Sequence, residues 1–193
     1  MRILPLLLVA LATQASAQRR VERNRVYSDS LPSATITLDS SLTYLGTQSF
    51  VLYNVANAEQ HFFAELDGKR IKRFVWIQFE GYLPSSHGRY DYSADSLIRM
   101  WDRPIYQSAM LRTIPTTERS ESDGARARQF LRDRGLVFNS TMLYHRLVSI
   151  VDDDKRNELM IIYMEDPALY NDSSQALGLS LKSAERRIRF ERR

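Results

Sequence analysis

Residues 73–84 read RFVWIQFEGYLP, and no other stretch restricts the fold of this 193-residue chain as tightly. A strand shows alternate side chains to opposite faces. Here one face carries Val75, Ile77, Phe79 and Leu83, and the other carries Phe74, Trp76, Gln78, Glu80 and Tyr82. A strand with large apolar groups on both faces needs a cover above and below. The second face also sets aromatics beside an amide and a carboxylate. That composition lines small-molecule pockets, and it equally makes a core in which Trp and Tyr find hydrogen-bond partners.

Other strand-like stretches surround this one. ATITL (34–38) is short; SLTYLGTQSFVLYNV (41–55) is long and rich in Thr, Tyr, Phe and Val, with Gly46 expected at a bulge or bend. In residues 58–66, Glu59, His61, Phe63 and Glu65 alternate with Gln60, Phe62 and Ala64. The Asp67-Gly68 turn then predicts a hairpin that pairs this strand with residues 73–84. Residues 141–151 and 158–165 form a second strand pair, again apolar on both sides.

Helical readings fall between and after these strands. Ser93 is placed to cap a short helix that runs to Trp101, before Pro104 prevents continuation. Residues 105–122 read as an edge strand or as a long loop. Asp123 is placed to cap GARARQFLRDR, with Gly135 just past its end. At the C-terminus, Leu177, Leu181, Ala184 and Ile188 make an apolar stripe opposite Arg186, Arg187 and Arg189. The expected fold is therefore α+β. A curved, largely antiparallel sheet of about six strands carries two short helices, and a long amphipathic C-terminal helix packs on it, all within one domain over residues 34–193.

Residues 1–17 combine Arg2, the apolar run ILPLLLVALA and Ala15-Ser16-Ala17, the pattern of a signal peptide cleaved after Ala17. The expected destination is the periplasm or the medium. No later stretch is apolar enough to span a membrane as a helix. With no cysteine in the chain, disulfides and thiol chemistry are excluded and stability rests on a core. Residues 18–33 read as a flexible basic lead-in. The formal charge of +4 divides unevenly, because residues 18–25 and 181–193 are basic and the body between them is acidic. Basic ends on an exported chain suit an anionic surface or a solvated tail, and no nucleic-acid-binding motif accompanies them.

The chain has no G-x-S-x-G elbow, no H-E-x-x-H and no phosphate-binding or dinucleotide-binding glycine loop. Three histidines, His61, His87 and His145, limit any imidazole chemistry. Ser85, Ser86 and His87 adjoin in a loop, although nucleophile and base normally meet through the fold. Glu59 with His61 is a feasible metal pair; Glu65 on the same strand face lies roughly 20 Å from Glu59, too far to share an ion. The run Asp152-Asp153-Asp154 lacks a calcium loop's glycine and distant glutamate. The reading that results is an exported, non-catalytic module that binds an apolar or amphipathic small molecule, or an envelope partner. Its site is placed on Phe74, Trp76, Gln78, Glu80 and Tyr82, with no cofactor. Two alternatives stand beside it: a metal-dependent or other hydrolase drawing on Glu59, His61, Glu80, His87 and His145, and a protein docked on a surface through its basic ends.

Overall fold

The computed structural model describes residues 19–115 and 121–192; the expected signal segment, residues 1–17, lies outside the described residues. In chain order the elements are β1 (Arg19–Glu22), β2 (Arg25–Ser28), β3 (Ala34–Leu38), β4 (Thr43–Leu52), β5 (Ala56–Asp67), β6 (Arg70–Tyr82), β7 (Ser96–Met100), β8 (Arg103–Thr113), α1 (Asp123–Arg132), β9 (Thr141–Ile150), β10 (Asn157–Glu165), α2 (Ala176–Arg187) and β11 (Ile188–Arg192). They build two antiparallel sheets, one of seven strands in the order β4-β5-β6-β10-β9-β8-β7 and one of four in the order β1-β2-β3-β11.

The larger sheet joins two meanders where β10 lies beside β6, with Glu158 opposite Glu80 and Ile162 opposite Trp76. The two most apolar strands therefore sit at the centre, the place where both faces can be covered. On one face Phe63, Val75, Ile77, Phe79, Leu159 and Ile161 meet Val26, Ile36 and Leu38 of the small sheet, together with Ala184 and Ile188. On the other face Phe62, Phe74, Trp76, Met160 and Ile162 lie under Ala127, Phe130 and Leu131 of α1. Gly46 has φ +131°, and a Cβ there would stand 3.0 Å from the Phe130 ring; the glycine lets β4 bulge and the helix approach.

The α+β expectation is overturned: 52% of residues are in strands and 15% are helical. The long C-terminal helix is replaced by a helix of 12 residues that hands over to β11 at Ile188. Ile188 is extended, and β11 pairs with β3, because IRFER alternates and opens on a β-branched residue. The expected stripe holds in part, since Ala184 and Ile188 are fully buried and Leu181 packs against the same core. The residues that α2 buries are Ala176, Ser180, Ser183 and Ala184, whereas Leu177 and Leu181 lie at its margin. Small side chains permit close approach, and Ser183 Oγ donates to Glu165 Oε1 at 2.8 Å, so a buried polar bond sets the rotation of the helix.

Two further corrections concern strands. The helix expected from Ser93 to Trp101 is β7, which turns into β8 through Trp101 and Asp102 at φ +52° and +59°. Those angles suit a two-residue hairpin turn normally filled by Asn-Gly. The expected flexible lead-in instead supplies β1 and β2, and Val26 is fully buried there. Residues 105–113 are a strand, but β7 rather than β8 is the edge.

Candidate functional site

The five residues of the aromatic face do not meet in one pocket. Phe74 and Trp76 belong to the core under α1, where Phe74 stacks on Phe62 at 5.8 Å and Trp76 is 7% exposed. Gln78 is fully buried in a row of amides: Gln48 Nε2 donates to Gln60 Oε1 at 2.6 Å, and Gln60 Nε2 donates to Gln78 Oε1 at 2.7 Å. Gln78 Nε2 passes the row on to Glu80 Oε2. Tyr82 packs against Tyr90, ring centroids 4.6 Å apart.

Glu80 and Glu158 face one another across β6 and β10. Directly opposite residues have Cβ atoms only about 5 Å apart. The Tyr90 hydroxyl donates to Glu80 at 2.8 Å, and the Tyr92 hydroxyl donates to Glu158 at 2.6 Å. Burial pushes the Glu158 carboxyl up to about 8, and the charges of Glu80 and Asp123 push the same way. Glu80 is also raised, first by burial and then by Asp123. This is a place that holds a proton at neutral pH.

The open end of the sandwich lies on the opposite face of β6. There a cavity of about 570 Å³ is lined by Leu31, Val51, Asn57, Glu59, Phe79 and Asn157, and Glu80 and Tyr82 of the predicted site line it too. Gly81 leaves room for the Asn157 amide, since a Cβ at 81 would stand 2.4 Å from its Oδ1. Arg19 closes one wall: its guanidinium lies 4.1 Å over the Phe79 ring and donates to Glu59 Oε2 at 3.0 Å and to the Leu31 carbonyl at 2.9 Å. Leu31 is 54% exposed and Val51 43%. Exposed apolar groups therefore stand beside the amides of Asn57 and Asn157.

Glu59 and His61 do come together, with Nε2 of His61 2.9 Å from Glu59 Oε1. The second Glu59 oxygen already accepts from Arg19, and although burial raises the Glu59 carboxyl, the bond to His61 and the Arg19 charge bring it below its ordinary value. Among the described residues no group of three or more His, Cys, Asp or Glu is arranged to hold a metal. His145 is 1% exposed between the sheets, and burial lowers its imidazole to about 4. His87 is exposed on its loop near Ser85 and Ser86. Asp152 accepts from the backbone N–H groups of Arg156 and Asn157 and closes the β9–β10 turn. Of the basic residues, Arg187 is tied to Asp39 at 3.1 Å and Ser41 at 2.8 Å, while Arg186 and Arg189 are exposed.

Asn57, Asn157, Leu31 and Val51 are absent from the site read in the sequence. One signal was available, because a lone glycine inside a strand, Gly81, marks a close approach. Among the described residues no helix is long and apolar enough to cross a membrane. Comparison with protein families, curated proteins and solved structures finds no match to this chain. Fold and site together define a two-sheet antiparallel β protein with a polar-apolar cavity at the open end between its layers.

Proposed function

We propose that this chain is an exported, non-catalytic binding module that takes an amphipathic small molecule, or an envelope component of that character, in the cavity beside Asn57 and Asn157. The observation that carries the reading is the lining: exposed Leu31 and Val51 stand beside the amides of Asn57 and Asn157, Arg19 is paired with Glu59, and Glu80 is held by Tyr90 and Gln78. The volume of about 570 Å³ lies in the range of small-molecule sites. Octyl glucoside, with one apolar and one hydroxylated end, is a suitable probe. It should raise the melting temperature progressively, equivalent to about 2.7 kcal/mol at a hundredfold excess over Kd. Asn57→Trp, a filling change at an exposed position, should abolish that rise; an equal rise in the variant places the ligand elsewhere. Export is checked by N-terminal sequencing of the protein recovered outside the cytoplasm, with Gln18 expected first.

A second reading, acid–base hydrolysis, is favoured by Glu80 lying opposite Glu158 with the latter raised to about 8. Pairs of carboxyl groups whose environments move their pKa values serve this chemistry. Turnover of nitrophenyl glycosides, esters or phosphates that disappears in Glu158→Gln would support it. No turnover with any of the three substrates rejects it.

A further inference from the structure

The cavity beside Asn57 has a neighbour of about 690 Å³ lined by Trp101, Pro104, Ser149, Val151 and Phe190. Leu31 borders both. The strand ends that line them are neighbours, since the Val151 N–H beside the second cavity donates to the carbonyl of Asn157 beside the first at 3.0 Å. Together their linings draw on the ends of six strands of the larger sheet and on the β7–β8 turn, from Ser49 and Val51 of β4 to Trp101 after β7. At roughly 4.8 Å per strand the path is about 30 Å long, far longer than one small molecule requires.

The far end of the path is built at a conformational cost. Trp101 sits at φ +52° in the β7–β8 turn, and Tyr53 at φ +48° in the β4–β5 turn at the other flank. Bulky residues seldom adopt the left-handed region, and such strain concentrates at sites that use it. The two hairpin turns at the ends of this path therefore each hold an aromatic where Asn or Gly would be easier.

We propose that the two cavities form one groove, and that the groove takes a neutral, extended oligosaccharide chain. The proposal rests on the binding reading above and names its ligand class. Hydroxyl-rich chains need partners that both donate and accept, and the groove has Asn57, Ser49 and Ser149, with the Asn157 amide offering its oxygen because its NH2 already donates to Asp152 Oδ2 at 2.8 Å. They also have apolar ring faces, which Leu31, Val51, Val151 and Trp101 match. A simple acyl chain would offer Asn57 and Ser49 no hydrogen-bond partner. An anionic polymer would need a line of cations, but Arg19 is spent on Glu59 and Arg103 lies 3.7 Å over the Phe190 ring.

The experiment is calorimetric titration of the mature protein with cello-, xylo-, malto- and chito-oligosaccharides from two to six units, beside octyl glucoside and a straight-chain fatty acid. In at least one sugar series affinity should climb roughly tenfold or more with length. Trp101→Ala should remove the gain from length while leaving octyl glucoside binding intact. Pro104→Arg, which narrows the far cavity from an exposed position, should do the same even if the tryptophan variant folds poorly. Octyl glucoside binding with no length dependence in any sugar series overturns the groove and leaves the binding reading standing. Binding of the fatty acid with no binding of any sugar series overturns the ligand class, and no binding by any probe overturns both.

Discussion

Glu165 is the residue on which most of the buried polar chemistry converges. Fully buried, it accepts from Arg73 Nε at 2.6 Å, Tyr163 at 2.7 Å, Ser183 at 2.8 Å and the Tyr170 hydroxyl. Burial raises its carboxyl, but these donors outweigh burial and hold it below the ordinary range. Glu165→Ala should cost about 3 to 5 kcal/mol by urea unfolding, because Arg73 and three hydroxyls lose their acceptor; a loss under 1 kcal/mol would deny it that role. Glu158 behaves oppositely. Its folded carboxyl titrates at about 8, so the native state holds a proton that the unfolded state has lost, and stability falls as pH rises from the ordinary carboxylate range to about 8. His145, lowered to about 4, works the other way only below its ordinary value of 6.5. Between pH 6.5 and 8 the fall is unopposed by that histidine and amounts to about 1 kcal/mol per pH unit. The groups facing Glu158 are Glu80, Tyr92, Asp123 and Arg146. Urea midpoints at the two pH values should differ accordingly in the native protein and converge in Glu158→Gln; an unchanged slope in the variant assigns the effect to another group. Nothing in the residues around positions 80 or 158 announced this pair, because the two lie 78 positions apart in the chain and meet only through strand register.

At the scale of elements, local pattern succeeded where tertiary demand agreed with it. The alternation separated Phe62 from Phe63 within residues 58–66, and Phe74 and Trp76 from Val75 and Ile77 within residues 73–84; the two cores divide along those lines, with the strand register matching Phe62 to Trp76 and Phe63 to Val75. The Asp67-Gly68 turn, the Gly46 bulge and Gly135 in the left-handed region were equally legible. Pattern failed at β7, where five residues have too little length to separate periods of 2 and 3.6, and in α2, where leucines suggested a face that serines occupy. Ser183→Leu should therefore destabilise the protein by about 3 kcal/mol or more, combining overpacking with loss of the bond to Glu165. Leu177→Ala at the margin should cost less than 1.5 kcal/mol in the same unfolding assay. The reverse ranking would restore the leucine stripe as the docked face.

For the whole molecule, the small sheet determines where the cavity opens, and that sheet is assembled from both ends of the described chain: β1, β2 and β3 near the start and β11 at the finish. Removing residues 18–28 deletes buried Val26 and the Arg19 wall together. The shortened chain should melt about 2 to 8 °C lower, as a loss of 1 to 2 kcal/mol implies at this size, and should no longer respond to octyl glucoside. An unchanged melting curve would mean that the small sheet does not need its first two strands. The sequence by itself determined the two-faced strands, their hairpins, the lack of disulfides and the need for two covering layers, because side-chain alternation and turn chemistry act within a few residues. Only the tertiary structure decided that a second sheet covers one face, that the C-terminal helix turns its serines inward, and that a cavity opens beside Asn57 and Asn157. Those outcomes depend on which distant segments pair, and pairing is settled by the burial of all strands at once, a free energy no local window contains.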